Sequence, residues 1–285
     1  MALRVLVVGL LEHDSGKTWL SYALARLAGS AAAVYKPIGG FNAWYSVRVL
    51  RESERLGLLL GNDALLYHRM SGADPAVLNP VAYATVPPDP LTAVRAPARY
   101  LASLASLEAG LAVWRLPLQG CGSAVHAYSP EALDSAPPGL ARLLRRLVAR
   151  LSAARASARE FLEVLGRGLL DEALEGCRER LEAGKKLLVV ESYNNAAVPY
   201  RGLDLCSMDF YLVAAPGRAL LYPAERACRA LEVTGLERVD RLLPYLGAPL
   251  VSLELPPAES PEELADALEA SELAGLLGDA LGAPG

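Results

Sequence analysis

Lysine is scarce in this chain of 285 residues. Of its 28 lysine and arginine residues only four are lysine: Lys17, Lys36, Lys185 and Lys186. An ammonium is a compact point charge, whereas a guanidinium is a planar fork, so a lysine within a motif indicates that the compact charge is needed there. Lys17 and Lys36 both stand in such motifs.

Cysteine and histidine are also few, and neither shows a ligand spacing. The four cysteines include no C-x-x-C pair, so the sequence predicts neither a zinc site nor a disulfide framework from Cys121, Cys177, Cys206 and Cys228. Cys121 lies between two glycines. No base that could orient it is apparent, so we expect a turn there rather than a nucleophile.

Long apolar runs are absent as well. No run of about 18 apolar residues marks a membrane span, and the N-terminal run 5–8 is too short for a signal peptide. A cytoplasmic location without a membrane partner is therefore expected. The net charge of −4 and the pI near 5.6 do not indicate a nucleic-acid surface. The chain has no N-K-x-D or T-K-x-D motif, which argues against a translation-type GTPase.

Along the chain, short apolar runs alternate with helical patterns. This alternation favours an α/β fold with a mostly parallel sheet flanked by helices. Because residues 75–90 are rich in proline, they are predicted as loop with at most one edge strand. The whole chain, 1–285, is predicted to be one domain in which 95–183 forms a helical insertion or cap. Strands are predicted at 3–9, 31–35, 111–116, 124–128, 187–191, 210–214 and 249–253, and helices at 17–28, 44–60, 63–70, 140–181 (broken near 152–157 and 166–168), 218–232 and 260–281.

The strongest motif follows the first strand. It contains glycine, lysine and threonine in a spacing that resembles the phosphate loop of nucleoside triphosphatases, although Leu11 replaces the first glycine of the strict pattern. In such a loop, successive backbone N–H groups at a helix start point at an anion, the lysine neutralises phosphate and the threonine hydroxyl binds Mg²⁺. The residues predicted to hold the nucleotide are Gly9, Glu12, His13, Asp14, Ser15, Gly16, Lys17, Thr18 and Trp19.

Two carboxylates stand where they could join Thr18 at a magnesium ion. Asp63 begins a predicted helix, and Glu191 ends a predicted apolar strand. Mg²⁺ prefers hard oxygen ligands, and ligands of parallel sheets bind at the carboxyl ends of the strands. The alternative for Asp63 is an acid that merely favours the helix dipole. A packing role for Glu191 is harder to support, because a carboxylate is costly to bury.

Several segments, taken in order, resemble the dethiobiotin synthetase family of P-loop ligases. They are the loop 8–18, Tyr35-Lys36-Pro37, Asn62-Asp63-Ala64-Leu65, Val77-Leu78-Asn79-Pro80, Val189-Val190-Glu191 and the glycine loop Ala215–Ala219. The resemblance implies a three-layer P-loop fold, Mg²⁺ bound by Thr18, Asp63 and Glu191, and catalysis by Lys17 and Lys36. It further implies that Lys36 holds a carboxylate or carbamate near the γ-phosphate of ATP, in a homodimer. The alternative for Lys36 is a solvated surface lysine.

The substrate half of the chain departs from that family. Ser192-Tyr193-Asn194-Asn195 replaces its glycine pair, and no late strand ends in the asparagine that reads adenine. The acceptor molecule and the choice between ATP and GTP therefore stay open. Aromatic residues in 41–45 follow a glycine pair, Gly39-Gly40, that is expected to be flexible, and they form a candidate lining for an acceptor pocket. The alternative is that these aromatic residues are part of the core. We expect an ATP-dependent ligase that activates a carboxylate or carbamate. The alternatives are a regulatory or assembly NTPase whose partner surface is 140–183, or a kinase.

Overall fold

The structure, a computed structural model, describes residues 2–118 and 121–281. The chain divides into two compact units. The first unit combines Met1–Pro37 with Arg178–Gly285, and the second is Ile38–Cys177. Each unit is built on a sheet with helices, so the chain is of the mixed α/β class that its alternating pattern predicts.

The elements are numbered in chain order. The strands are β1 (Leu3–Gly9), β2 (Ala32–Tyr35), β3 (Ile38–Asn42), β4 (Val81–Thr85), β5 (Leu111–Pro117), β6 (Ala124–Tyr128), β7 (Ala154–Arg155), β8 (Leu187–Glu191), β9 (Phe210–Ala215), β10 (Arg218–Pro223) and β11 (Val251–Glu254). The helices are α1 (Lys17–Ala28), α2 (Val47–Leu56), α3 (Asn62–Ser71), α4 (Pro75–Leu78), α5 (Leu91–Arg95), α6 (Pro97–Leu104), α7 (Leu107–Gly110), α8 (Pro130–Ser135), α9 (Pro138–Arg150), α10 (Ala158–Gly166), α11 (Asp171–Glu182), α12 (Ala224–Thr234), α13 (Val239–Leu242), α14 (Pro261–Leu268) and α15 (Glu272–Leu281).

The first unit has a six-stranded sheet in the order β11-β10-β9-β1-β8-β2. At its centre β1 pairs in parallel with β8 and β9, and β2 pairs in parallel with β8. Val5–Val8 and Leu187–Val190 are fully buried, as expected for parallel strands covered on both faces. The parallel arrangement brings the carboxyl ends of β1, β2 and β8 to one edge of the sheet.

The C-terminal helices belong to this unit. Ser260 caps α14 by accepting a hydrogen bond from Glu263 N, and Pro261 occupies the first helical position. α14 packs on α1, where Tyr22 donates to Glu262 and Arg26 pairs with Asp266. Helix α14 is therefore a docked part of the fold.

The second unit has a five-stranded sheet in the order β3-β4-β5-β6-β7. β3 is parallel to β4 and β6 is parallel to β7, while the β4–β5 and β5–β6 pairs are antiparallel. α2, α8 and α9 contribute to an apolar core on this sheet. The prediction of one domain with a helical insertion at 95–183 stays a prediction, but the second unit starts well before residue 95 and contains a sheet of its own.

Four sequence predictions of local structure are wrong. The stretch 75–90 contains α4 and β4, and β4 lies inside its sheet between β3 and β5. The predicted helix 218–232 begins with β10, so Ala215–Ala219 forms a hairpin turn rather than a loop before a helix. The predicted helix 44–60 is only Val47–Leu56. Gly39 and Gly40, expected to be flexible, lie in β3, where a Cβ on Gly40 would be 2.1 Å from Tyr83 Cζ.

The cysteines form two disulfides, which the spacing did not predict. Cys121 is bonded to Cys177 within the second unit, and Cys206 is bonded to Cys228 within the first. The partners are 56 and 22 residues apart in sequence, and only the folded chain brings them together. Since most cytosolic proteins keep their thiols reduced, these bridges do not support the expected cytoplasmic location. Within the described residues, no helix is long and apolar enough to cross a membrane.

Candidate functional site

The loop between β1 and α1 folds tightly around Ser15. Leu11 N donates to Ser15 Oγ at 2.9 Å, and Ser15 Oγ donates to Leu11 O at 2.8 Å. A Cβ atom on Gly9 would lie only 2.7 Å from both Ser15 Oγ and Lys17 Nζ. Gly9 is therefore needed for the close approach, and the buried side chain of Lys17 reaches back to the start of the loop.

The backbone of this loop adopts two left-handed conformations before the helix begins. Asp14 has φ 54° and Gly16, the residue that caps α1, has φ 83°. Glycine adopts that region without a steric penalty. Leu11, which replaces the first glycine of the strict pattern, has a side chain that is 44% exposed. Its side chain therefore points at least partly to solvent while its backbone closes the loop on Ser15.

The other predicted nucleotide residues of the loop differ in exposure. Glu12, His13 and Asp14 are exposed, whereas Thr18 and Trp19, in the first turn of α1, are half-buried. Glu12, Asp14 and Lys17 give the loop a formal negative charge before any ligand binds.

Glu191 joins two of the predicted residues through one oxygen atom. Its Oε1 accepts a hydrogen bond from Thr18 Oγ1 at 3.0 Å and from Lys36 Nζ at 2.8 Å. Lys36 Nζ also donates to Ser192 O at 2.8 Å. The side chains of Lys36 and Glu191 are 4% and 0% exposed, so Lys36 is not the solvated surface lysine that was the alternative. We call Thr18, Lys36 and Glu191 the Glu191 cluster.

The topology explains why these three residues meet. β8 lies between β1 and β2, and the register places Glu191 opposite Val7 and Val190 opposite Tyr35. Lys36 follows Tyr35 directly, so it leaves the sheet at the same edge as Glu191. Thr18 is one residue into α1, the helix that follows β1. The three residues thus lie at or just after the carboxyl ends of three adjacent parallel strands, at one edge of the sheet.

Asp63 lies in the second unit, in the first turn of α3. The start of that helix is held by Asn79, a buried residue whose Oδ1 accepts from Gly61 N at 2.9 Å and whose Nδ2 donates to Val81 O at 2.8 Å. The role of Asp63 as a metal ligand stays a prediction. Asn79, which was noticed only as part of a motif, positions the helix that carries Asp63.

The aromatic residues of the proposed acceptor pocket do not line one common surface. Phe41 belongs to the core of the second unit, while Trp44 and Tyr45 are exposed. A cavity of about 640 Å³ in the same unit lies at the starts of α7, α8 and α10. None of the predicted site residues lines it.

A segment that the sequence did not single out lies beside the loop that follows Glu191. Ala196 and Arg238 form an antiparallel bridge, Val239 N donates to Asn195 O at 2.8 Å, and Ala197 N donates to Glu237 O at 2.8 Å. Asp240 accepts from Asn195 Nδ2 at 2.9 Å and from Arg238 Nε at 3.0 Å. No local pattern marks Arg238 or Asp240, because their position depends on pairing with residues far away in sequence.

Comparison with known proteins finds no family model, no curated protein and no solved structure that matches this chain. The function therefore has to be inferred from the residues and their contacts.

Proposed function

We propose that the chain is a P-loop protein that binds a nucleoside triphosphate, ATP in the first instance, together with Mg²⁺ at the Gly9–Thr18 loop. The observation that carries this proposal is Glu191 Oε1, which contacts both Thr18 and Lys36 beside the loop. A buried ion pair contributes little net stability compared with apolar residues of similar size. Its presence next to a phosphate-type loop is better explained by function.

The residues fit such a ligand in their chemistry. The N-terminus of α1 offers backbone N–H groups to an anion, and Lys17 supplies a compact positive charge beside Gly9. Thr18 and Glu191 offer the hard oxygen atoms that Mg²⁺ prefers. Bound Mg²⁺ would neutralise charge on the phosphate oxygens.

Lys36 is the residue best suited to act on an acceptor. Its ammonium is held by Glu191 Oε1 and Ser192 O, both at the carboxyl edge of the sheet. A fixed ammonium stabilises negative charge that develops during phosphoryl transfer without reorganisation. We therefore favour activation of a carboxylate or carbamate by ATP, as in a dethiobiotin synthetase-like ligase, with the acceptor and a homodimeric state left to experiment.

One observation favours the second candidate, a regulatory or assembly NTPase that switches a protein partner. No residue of α5 or α6 is buried, and these helices expose Leu91, Val94, Leu101 and Leu104. Exposed apolar side chains close together mark interaction surfaces. This surface lies outside the predicted partner region 140–183. A kinase remains the third alternative.

Calorimetry with ATP and with GTP, each with and without Mg²⁺, tests the proposal. We expect micromolar binding of ATP that needs Mg²⁺ and that Lys17→Ala lowers at least about 100-fold. Lys186→Ala, which changes an exposed lysine, is the matched control and should bind as the wild type does. Absence of binding to either nucleotide by the wild type would refute the proposal.

Turnover then separates the candidates. Release of ADP that small carboxylic acids or amines with bicarbonate stimulate would support the ligase, and stimulation by a protein alone would support the switch. Asp63→Asn should raise the Mg²⁺ concentration that half-maximal turnover requires, if Asp63 is a ligand. An unchanged requirement would remove Asp63 from the metal site.

A further inference from the structure

The carbonyl oxygen of Ser192 accepts a hydrogen bond from the Lys36 ammonium, yet strand β8 does not fix the direction of that carbonyl. Lys36 Nζ donates to Glu191 Oε1 and to Ser192 O, each at 2.8 Å. Ser192 N donates to Val7 O at 2.9 Å, so the amide of this residue still pairs with β1. Its carbonyl belongs to the next peptide plane, whose orientation follows the path of the chain beyond the sheet. The position of Lys36 therefore depends on the turn that begins at Ser192.

This turn, residues 192–196, is closed by hydrogen bonds of its own. Ser192 is fully buried, and its Oγ donates to Ala196 O at 2.8 Å. Ala196 N donates to Tyr193 O at 3.1 Å. Asn194 has φ 44°, in the left-handed region that asparagine adopts more readily than most residues other than glycine. These bonds make the turn compact, but they lie within it and do not orient it relative to the sheet.

Asn195 fastens the 192–196 turn to residues 238–240 of the same unit. Its side chain is buried, and its Nδ2 donates to Asp240 Oδ1 at 2.9 Å. Its carbonyl oxygen accepts from Val239 N at 2.8 Å. A hydrogen bond from an amide to a carboxylate is charge-assisted and stronger than one between neutral groups. The side chain of Asn195 therefore anchors the turn to a second segment that is distant in sequence.

We propose that Asn195 and Asp240 are positioning residues for the ammonium of Lys36. Their hydrogen bond orients the 192–196 turn, the turn directs Ser192 O, and Ser192 O holds Lys36 Nζ at the carboxyl edge of the sheet. The role rests on the proposed function, in which a fixed ammonium stabilises the negative charge that develops during phosphoryl transfer. Both residues act through Lys36 rather than on the nucleotide or the acceptor.

The small number of lysines allows the position of Lys36 to be measured directly. Because the sequence contains only four lysines, NMR of the full chain labelled with ¹³C at lysine Cε gives few signals, which single substitutions assign. Asn195→Ala should shift the Lys36 signal and leave that of Lys186, which precedes β8 at the opposite edge of the sheet, unchanged. Asp240→Ala removes the same hydrogen bond from a residue that is 32% exposed, and it should give the same shift.

Turnover and binding separate this role from a role in holding the nucleotide. Asn195→Ala should lower the rate of ADP release about 10-fold, as loss of an orienting partner does in metal sites. The affinity for MgATP, measured by calorimetry, should change less than about twofold. Arg241→Ala is the matched control, because Arg241 is 73% exposed and lies 3.6 Å from Asp240 Oδ2. It should leave the Lys36 signal, the rate and the affinity unchanged.

An exchange of the two partners tests whether their hydrogen bond is responsible. Asn195→Asp combined with Asp240→Asn keeps the net charge and places an amide opposite a carboxylate again. This double variant should restore the Lys36 signal and at least half of the rate of ADP release. Asn195→Asp alone places two carboxylates together and should shift the Lys36 signal as Asn195→Ala does.

The outcomes that contradict the inference differ from a failure of the proposed function. A Lys36 signal at the wild-type position in both alanine variants, or no recovery in the exchanged pair, would overturn it. A shift of all the lysine signals, or an equal loss of rate and affinity, would give Asn195 a general structural role instead. If the wild type binds no nucleotide, the proposed function fails, while the lysine spectra still decide whether Asn195 positions Lys36.

Discussion

Each unit buries a cation near its sheet, and the two cations have different partners. In the first unit Lys36 contacts the carboxylate of Glu191 and, through it, the hydroxyl of Thr18. In the second unit Arg115, on β5, is fully buried and donates to the carbonyl oxygens of Pro80 and Pro75 at 3.3 and 3.5 Å. Among the residues that the structure describes, none is a hydrogen-bond partner of Arg115 Nη1. Burial lowers the pKa of Arg115 to about 9, with Asp74 opposing that shift.

Other polar side chains of the two units also differ in whether they bond to backbone groups or to other side chains. Asn79 and His126 in the second unit bond to the backbone, since Asn79 holds Gly61 and Val81 and His126 Nε2 accepts from Leu59 N at 3.2 Å. A polar side chain that satisfies backbone groups has a structural reason to be buried. In the Glu191 cluster two side chains share one carboxylate oxygen instead. We infer that these polar groups of the second unit maintain its fold and that the proposed chemistry belongs to the first unit.

Removal of Glu191 should have the largest effect. Glu191→Ala leaves the buried Lys36 ammonium without its carboxylate, which should cost about 3–5 kcal/mol of unfolding free energy. Nucleotide turnover should fall at least about 100-fold, because the proposed metal site and the orientation of Lys36 are lost together. Urea unfolding and the rate of ADP release measure the two effects.

A double variant separates the structural role of the pair from the functional one. Lys36→Met combined with Glu191→Leu replaces the ion pair with apolar side chains and should return stability to within about 1–2 kcal/mol of the wild type. Turnover should stay lost. Turnover at the wild-type rate in this variant would show that the pair is only structural, as we infer for Arg115.

The disulfides allow a comparison of stability between the units. The double variant Cys121→Ser with Cys177→Ser removes the disulfide that closes a loop of 56 residues in the second unit. The double variant Cys206→Ser with Cys228→Ser removes the one that closes a loop of 22 residues in the first. Loop-closure entropy predicts losses of about 4 and about 3 kcal/mol. Urea unfolding measures them, with the wild type under a strong reductant as control. If reductant leaves the wild-type midpoint unchanged, the bridges do not contribute.

The second unit should also respond to acid through His126. Burial, together with the charge of Arg115, lowers the pKa of His126 to about 4. The unfolded chain therefore binds a proton at a pH where the folded chain does not, and stability falls as the pH drops from about 6.5 through about 4. Allowing for partial exposure, we expect a loss of about 1–2 kcal/mol. Unfolding midpoints between pH 7 and 4 measure it.

His126→Gln is the control for this acid effect. Glutamine can still accept a hydrogen bond from Leu59 N but does not titrate. The variant should lack the part of the pH dependence assigned to His126. An unchanged slope would mean that other groups cause the loss.

Continuous apolar runs with clear ends made the centre of the first unit predictable. β1, α1 and β8 have the bounds that the sequence predicts, because a glycine or a charged residue marks all of their ends except the start of β1. Because ligands bind at the carboxyl edge of parallel strands, Glu191 was expected near Thr18, and the two side chains are hydrogen-bonded at 3.0 Å. Their binding of Mg²⁺ stays a prediction. That Lys36 shares the same carboxylate oxygen depends on side-chain packing, which a sequence pattern does not contain.

The errors arise where long-range pairing decides the structure. β10 has the leucine and alanine content of a helix and runs into α12, but pairing with β9 and β11 makes it a strand. β3 contains two glycines, and its pairing with β4 makes it a strand. Arg238 and the disulfides depend on residues far apart in sequence. The sequence was therefore most informative about strands that begin or end at a local signal.

Substitution of Leu11 should have the smallest effect and tests the one departure from the strict phosphate-loop pattern. Leu11→Gly restores that pattern, yet we expect the affinity for MgATP to change less than about threefold, because the loop is closed by the backbone of Leu11 on Ser15 and the Leu11 side chain is 44% exposed. Ser15→Ala is the contrasting variant. It removes both hydrogen bonds to Leu11 and should weaken binding about tenfold. If Leu11→Gly strengthened binding as much as Ser15→Ala weakened it, the leucine side chain would itself obstruct the phosphates, and the loop in this chain would be a partly degraded site.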